Sequence, residues 1–339
     1  MLDMPVLTLN EPLRFLGLPI LEKVRLIGGV RYETTELNIN SRSYLANSAT
    51  GKTTNSSNLS QVDLLPGLGL VIGLNSNMNL RISYSQTIAR PSFRELAGYR
   101  SYDPTLDLLL EGNPNLQMSA IKNYDLRWEW FPRPGELFGV SLFYKDLKDA
   151  IERQIISTDG DIVSFANRAT ANVGGIEFEA RKSLDFLDPN LSGFSFGGNL
   201  SLIKSETPLT REELYTLNTI FGQGNVKPTR SLYDQSPYIL NLDLSYDNPH
   251  SGTTASLIFN TAGERIAIAS LNTEDIYEQP APGLDFICAQ KLGRRMSLKF
   301  TAKNLLNPEI QRTYGKATSR LFSSYRRGLT FGLTLGYEF

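Results

Sequence analysis

The chain is poor in the residues that build most catalytic and metal sites. Of its 339 residues, one is cysteine, Cys288, and one is histidine, His250. A lone cysteine excludes an intramolecular disulfide. The two residues together exclude a zinc centre built mainly from Cys and His. His250 sits in the turn-rich "DNPHSG" with no nucleophile elbow nearby, so it reads as a solvated turn residue and not as a general base. Cys288 reads as a small apolar residue on a strand. Long hydrophobic runs are also lacking. A membrane helix needs about 18 consecutive apolar residues, and the nearest stretch, "LLPGLGLVIGL" at 64–74, is short and rich in glycine. The first residues, "MLDMPVLTLNEPLRFLG", have neither a basic leader nor a continuous apolar run, so they do not read as a signal peptide. Charge of one sign is not in excess: 34 basic residues face 35 acidic ones, for a net charge of -1. With no Lys/Arg-rich run, nothing argues for nucleic acid. "GGV" and "GLGL" precede no helix that could present its amides, so they are not phosphate loops. No catalytic residue, metal site or cofactor is assigned, and an enzyme is not expected.

What the chain does have is period-2 alternation. In the closing "GLTFGLTLGYEF", Leu329, Phe331, Leu333, Leu335, Tyr337 and Phe339 are apolar, and the residues between them are small or polar. Tyr124, Leu126, Trp128 and Trp130 alternate with Asn123, Asp125, Arg127 and Glu129. Ile176, Phe178 and Ala180 alternate with Glu177, Glu179 and Arg181; Tyr238, Leu240, Leu242, Leu244 and Tyr246 share one face. Each stretch predicts a strand with one oily face. About twelve strands are expected, near 20–37, 58–74, 77–90, 119–131, 137–153, 163–183, 192–207, 235–248, 251–266, 282–292, 295–308 and 325–339. Several exceed ten residues, where a globular strand has about 5–6.

The connections alternate between long polar stretches and tight turns. Long ones cover 40–58, 91–119, 208–234, 267–281 and 309–324, and "STDGD" is intermediate. Short ones are "NSN", "PRPGE", "LDFLDPN", "DNPHSG" and "LGRR". Long and short therefore fall at opposite ends of an up-and-down meander, as in outer-membrane barrels. Tyr32, Tyr84, Trp128, Trp130, Phe131, Tyr144, Tyr238, Tyr246, Tyr337 and Phe339 lie towards strand ends, where an interfacial girdle would place them. A soluble sandwich, propeller or solenoid would also alternate, but with shorter strands or a fixed repeat. The expected fold is all-β: a transmembrane antiparallel up-and-down β-barrel. Glu177 and Glu179 then face the lumen, and Gly328, Gly332 and Gly336 turn inward where bulk would crowd it. Pro91 ends a strand because it has no ladder donor. The asparagines of "NLLNP" can cap local backbone at a strand exit.

Six stretches in order, "RLIGGVRYETTELNI", "SYSQTIARPSFREL", "EGNPNLQMSAIKNYDLRWEWFPRPGELFGVSLFYKDLKDAIE", "NVGGIEFEARKSL", "AKNLLNP" and the aromatic terminus, resemble the C-terminal barrel of TonB-dependent outer-membrane receptors. The resemblance runs from about residue 20 to 339. It implies a barrel of about 22 strands around an N-terminal plug, with uptake of a scarce nutrient (an iron chelate, cobalamin or glycan) driven by the TonB energy complex. Twelve strands make this chain part of such a barrel. Residues 1–19 are expected to be a partial strand and turn, 20–339 the C-terminal part of the barrel, and the plug is absent, so coupled transport by this chain alone is not expected. A self-sufficient twelve-stranded porin or adhesin is the alternative. Arg90, Arg94, Tyr99, Arg100 and Tyr102 are the candidate contacts for an anionic or sugar ligand, set against loop packing and solvated charge. Tyr337 and Phe339 resemble the C-terminal signal read by the barrel-assembly machinery. The implied surroundings are outer-membrane lipid in a Gram-negative-type bacterium, with the C-terminus periplasmic.

Overall fold

The structure, a computed structural model, describes residues 6–9, 13–15, 18–21, 23–104, 108–157, 162–222, 224, 226–271, 274–315 and 320–339. Most of the intermediate connection at 157–161, the middle of the 309–324 loop and much of the segment before Lys23 lie outside the described residues. Twelve long strands form the frame. They are β1 (Lys23–Arg42), β2 (Thr54–Asn75), β3 (Met78–Ala89), β4 (Ser119–Trp130), β5 (Leu137–Ile155) and β6 (Ile162–Ser183), followed by β7 (Phe194–Pro208), β8 (Tyr238–Asn248), β9 (Thr253–Ala262), β10 (Gly283–Leu292), β11 (Met296–Lys303) and β12 (Thr330–Tyr337). Each pairs antiparallel with the next, from β1–β2 through β11–β12. A short strand at Val6–Leu9 pairs with the lower part of β1. β12 pairs with β11 and β1 with β2, and among the described residues no register joins β12 to β1.

Register explains the faces. Leu70, Ile82, Leu126 and Leu142 lie in one row across β2–β5, and Leu298 and Leu335 share another row across β11–β12. These residues share the outward face, on which Leu68, Leu126, Leu142, Leu244, Leu257, Phe331, Leu333 and Leu335 are all exposed. In water each would forfeit about 1.5–3 kcal/mol relative to burial, and a soluble monomer does not carry an apolar patch of this extent. On β1 the band runs from Val24 to Tyr32, about 26 Å of strand. At a strand tilt of about 40° that covers about 20 Å of height, close to the apolar band, about 25 Å tall, around an outer-membrane barrel. Tyr32, Tyr84, Tyr124, Tyr144 and Tyr238 close the band on the long-loop side. Trp130 and Phe138 stack at 5.4 Å and Phe194 and Tyr246 meet at 4.6 Å on the short-turn side.

The inward face is polar and charged. Glu129 receives Arg81 at 2.7 Å and Arg127 at 2.8 Å, and Arg127 reaches Glu179 at 2.6 Å. Gly139 makes room for this row: a Cβ there would lie 3.0 Å from the Arg127 guanidinium. Gly332 and Gly336 turn inward as expected, where a Cβ would meet the hydroxyls of Thr301 and Ser297 at 2.7 Å. At the "NLLNP" exit the asparagines do bond backbone, but at Gly328, more than 20 residues on, and not locally as expected. Asn304 and Asn307 adopt positive φ, Asn304 Nδ2 donates to the Gly328 carbonyl at 2.7 Å, and Asn307 Oδ1 accepts from the Gly328 N–H at 3.1 Å. In "GNPNL", Gly112 does not adopt positive φ; it permits close approach, because a Cβ would sit 2.0 Å from the Ala97 carbonyl oxygen.

The long connections are more ordered than an alternation pattern suggests. β1 and β2 continue their ladder past Tyr32 to Arg42 and Thr54, leaving only 43–53 as loop. β5 and β6 likewise run on as a hairpin arm, to Ile155 paired with Val163. The connections after β3 and β9 lean on that arm: Leu109 and Leu110 pair parallel with Ile162 and Val163, and Ala269 and Ser270 with Gln154 and Ile155. Two buried clusters hold this layer. One joins Leu108, Ile155, Val163, Ile268 and Ile276; the other joins Leu96, Leu116 and Phe165.

An ionic quartet fixes the connection after β7 to the same arm. This connection carries helix α2 (Arg211–Phe221), started by a capping box in which Thr210 Oγ1 accepts from the Glu213 N–H and Glu213 Oε2 accepts from the Thr210 N–H. Glu213 and Glu152 are almost fully buried, with side chains 1 % and 2 % exposed. Arg168 bridges them, donating to Glu213 Oε2 at 2.7 Å and also to Glu152. Arg230 donates to Glu152 Oε2 at 2.8 Å, and the Tyr233 N–H donates to Glu152 Oε1 at 2.9 Å.

Two outcomes follow from these contacts. Leu333→Arg, in mid-band on the oily face, destabilises the protein in lipid by about 2–4 kcal/mol, whereas Thr334→Arg on the wet face costs less; reversible unfolding in vesicles measures both. The second concerns pH. Burial raises the Glu213 carboxyl, but the Arg168 hydrogen bond and charge, the Thr210 N–H and Arg230 outweigh it and hold it below its ordinary value of 4.5. The stabilisation is therefore complete above about pH 4.5 and is lost as pH falls through the lower folded value. Amide exchange across 211–221 should accelerate below pH 4.5 ahead of exchange in β4 and β5. Arg168→Met, which leaves the buried Glu213 only the longer contact of 3.4 Å to Arg230, should cost about 3–5 kcal/mol at neutral pH and remove that acid step.

Candidate ligand-facing surface

The loop layer and the inward wall beneath it meet at one end of the sheet, and every residue expected to contact ligand lies there. Arg90 follows β3 and pairs with Glu33 of β1, while its Nε donates to Thr35 Oγ1 at 2.8 Å. Helix α1 (Phe93–Leu96) carries Arg94. Ser92 and Glu95 form its capping box, so the turn is locally specified. The Arg94 guanidinium donates to Ser101 Oγ at 2.6 Å and to the Leu110 carbonyl, and lies 4.5 Å from the Tyr99 ring centre. Arg100 and Tyr102 fall on a short strand, Arg100–Asp103, paired with Leu108–Glu111. Arg100 pairs with Glu111, which is fully buried, and donates to Ser48 Oγ at 3.0 Å and the Ala46 carbonyl at 3.2 Å. Tyr102 has an exposed ring.

The structure thus brings Arg94, Tyr99 and Arg100 together and sets Arg90 apart on the β1 side. Two connections, 43–53 and the one after β3, converge on this cluster. Glu111 accepts from the Ser48 N–H at 2.6 Å, and Asn47 Nδ2 donates to the Gly112 carbonyl at 2.8 Å. The arginines are committed to internal partners, so they hold the hairpin in place whatever else they touch. Glu111 and Asn47 were not singled out from the sequence, nor was the quartet of Glu152, Arg168, Glu213 and Arg230. Part of the signal was there: "SFRE" and "TREE" both carry the S/T-x-x-E capping pattern that marks a helix start inside a long connection.

Two hollows open in this region. The larger, about 480 Å³, lies where the inward face of β8–β11 meets the loop layer. Asn241, Asn260, Gln279, Asp285, Lys303 and Arg327 are among its walls. At its rim Arg265 pairs with Glu278 at 2.7 Å, and Arg312 with Glu278 at 3.0 Å. Its chemistry is amide and charge, suited to a hydrophilic solute. The smaller, about 360 Å³, lies between α2 and the segment around Asp275, with Leu217, Phe221 and Val226 against Arg230 and Asp275. Burial pushes the Asp275 carboxyl up to about 6, against the pull of Arg230 and the Ser270 N–H.

At the opposite, short-turn end, Arg133 ties Glu136 to Asp185 at 2.7 Å, and Lys182 reaches Glu136 at 2.8 Å. The hydrogen bonds of Arg133 and Lys182 hold the Glu136 carboxyl at about 2. Tyr337 and Phe339 meet edge to face at 5.2 Å and are exposed. His250 is an exposed turn residue, its N–H donating to Asn248 Oδ1 at 3.0 Å.

With this geometry in hand, the chain was compared with known proteins. Residues 16–305 match the TonB-dependent receptor-like β-barrel family. No curated protein sequence matches. Among solved structures, a mutant of the ferric enterobactin receptor PfeA of Pseudomonas aeruginosa superposes with a TM-score of 0.57 at 15% identity, over 94% of this chain and 54% of the receptor. The ferric-catecholate import receptor Fiu of E. coli K12 gives 0.60 at 14% identity, over 93% and 42%. The ferric yersiniabactin uptake receptor FyuA of Yersinia pestis gives 0.57 at 19%, over 93% and 43%. At such identities the likeness is one of fold, and the chain spans about half the length of these receptors. Alternating strands, an outward apolar band, ordered loops at one end and the family match agree: the chain belongs to the TonB-dependent receptors of the Gram-negative outer membrane, transport proteins and not enzymes, as a portion of their β-barrel.

Proposed function

We propose that this chain forms wall and loop layer of a receptor that takes up a scarce nutrient by energy-coupled transport, with a ferric chelate as the first class to test ahead of cobalamin or glycans. The observation that carries the reading is the ordered loop layer set over a charged and amide-rich inward wall. A passive pore needs no such layer, whereas a receptor needs a preorganised surface. The ferric chelate comes first because the superposed structures are receptors for ferric enterobactin, ferric catecholates and ferric yersiniabactin. The plug and the TonB energy complex act with the barrel in the full-length receptor. In this reading the C-terminus is periplasmic, and Tyr337 and Phe339 serve the barrel-assembly machinery. Residues 20–339 make up the C-terminal part of the barrel.

Within the loop layer, Tyr99 and Tyr102 present ring surface to ligand. Arg94 and Arg100 position them, Arg94 through its contact with the Tyr99 ring and Arg100 through the pair with Glu111. Arg90 holds the rim to β1.

The test is binding and uptake of iron-55 chelates (catecholate, hydroxamate and carboxylate) by cells making the full receptor that contains this barrel. One class should bind tightly, and a protonophore should stop accumulation while leaving binding intact. Tyr102→Ala should weaken binding of that chelate without changing barrel assembly, read as heat-modifiable migration. Arg100→Met should weaken it as well while loosening exchange protection across 100–111. If no chelate binds and ions pass freely through the protein in planar bilayers, the porin alternative replaces the receptor.

A further inference from the structure

The smaller hollow of the loop layer shares no wall residue with the larger one or with the Tyr99–Tyr102 cluster. It holds about 360 Å³, within the range of small-molecule pockets, about 300–1,000 Å³. On one side are α2 and the chain flanking it, with Leu209, Leu217, Phe221 and Val226. On the other are Asp275 and Tyr277, at the start of the short strand Ile276–Glu278. Apolar and aromatic side chains thus make up most of the wall, and Phe221 is left exposed.

The charged groups around the hollow are matched or solvated, with one exception. Arg230 gives both Nη atoms to Glu152, at 3.1 Å and 2.8 Å, and touches Glu213 at 3.4 Å; its Nε is sealed in the wall. Glu274 pairs with Arg320 at 2.8 Å, and Lys227 is exposed to water. Asp275 is the exception. Its carboxylate accepts from the Ser270 N–H at 2.9 Å and, among the described residues, pairs with no cation. A carboxylate has about four acceptor sites, so most of its capacity is unused. The imbalance shows in its affinity for a proton: burial lifts Asp275 to about 6 against the pull of Arg230, and Glu213 and Glu152 add to the rise. A cation would relieve that carboxylate, and the rings of Phe221 and Tyr277 would attract it too. An anion would meet Asp275 and find Arg230 already taken.

We propose that this hollow binds a small organic ammonium, a primary amine on an aromatic or short aliphatic body. The ammonium meets the Asp275 carboxylate, and the body lies among Leu217, Phe221, Val226 and Tyr277. Such a ligand bridges α2 to the strand Ile276–Glu278, so it tightens the loop layer as it fills it. The site is independent of the nutrient. An ammonium binds the ionised carboxylate, so affinity is full above about pH 6 and falls below it. The neighbouring groups do not titrate in that window. Burial raises Glu152, on the arm, and Glu213, but their arginines outweigh it and hold both below 4.5. Burial pushes Tyr277 up from 10, and Arg230 stays charged.

The test titrates the full receptor that contains this barrel, in detergent at pH 7.5, with three probes that share one body: 2-phenylethylamine, 2-phenylethanol and phenylacetate. Calorimetry reads the affinities. The amine should bind about tenfold tighter than either of the others. Between pH 7 and pH 5 it should weaken by about tenfold, while the alcohol does not change. Amide exchange across 211–221 and 276–278 should slow when the amine is bound. Asp275→Asn keeps an oxygen for the Ser270 N–H, so the barrel should still fold, read as heat-modifiable migration, while the amine falls to the affinity of the alcohol. Equal binding of amine and alcohol would overturn the proposal, as would tighter binding of phenylacetate or no binding by any of the three. So would a preference for the amine that survives in Asp275→Asn, which would place the cation elsewhere.

Discussion

A peptide group in hydrocarbon has no water to bond, so every N–H and C=O crossing the bilayer must find a partner on a neighbouring strand. That constraint sets the length and order of the twelve strands. It makes each strand pair with the next, because a short turn is the most direct way to supply the partner. It also forces alternation, since a strand in a wall between lipid and water has one face for each. The row Leu70, Ile82, Leu126 and Leu142 against the row Arg81, Arg127 and Ser141 is this rule at one place in the wall. A slip of one residue would carry Arg127 into lipid and Trp128 into the lumen.

Above the tyrosine belt the constraint relaxes and a different one takes over. Water can satisfy the backbone there, so the chain is free to be irregular, yet it folds into short strands and helices leaning on the β5–β6 arm. Apolar burial around Ile155, Val163 and Phe165 supplies part of the reason. The ionic contacts supply specificity of place. Glu111, Glu152 and Glu213 are buried carboxylates, and each would carry a heavy desolvation cost without its arginine. Such pairs contribute little net stability over an apolar filling, but they fail badly when one partner is removed. A loop held this way has one seat, which is what a binding surface on loops requires.

This division explains what could be read from the chain beforehand. The twelve strands were legible because the bilayer writes a period-2 pattern into them; Phe331 to Tyr337 and Tyr238 to Tyr246 need no further context. The ends were less legible where strands leave the lipid. β1 was expected to stop near 37 and continues to Arg42, because its last residues pair in water, where either face tolerates polar side chains and the alternation fades. The short strands at Arg100–Asp103 and Leu108–Glu111 were read as loop for the same reason, and Arg265–Ser270 was split between the end of the strand expected at 251–266 and the loop after it. Their ladders depend on the arm beside them, and a contact between residues as far apart as Leu109 and Ile162 leaves no mark in either stretch. The asparagines of "NLLNP" were legible only as backbone-capping residues; the backbone they bond, at Gly328, lies 24 and 21 residues away, and the sequence expectation was of local backbone.

The candidate site shows the same limit at the level of single side chains. An arginine that binds a ligand and one that binds a buried glutamate present identical chemistry in a sequence; what separates them is where the carboxylate lies. Arg90 is 57 residues from Glu33, and Arg100 is 11 from Glu111. Neither separation matches a local pairing rule, so both arginines read as available. Folding commits them. Once Arg94 and Arg100 are occupied, they hold the hairpin that carries Tyr99 and Tyr102, and what the cluster leaves exposed is ring more than guanidinium. A loop layer can therefore be rich in charge by composition and still leave a surface that is largely aromatic and amide.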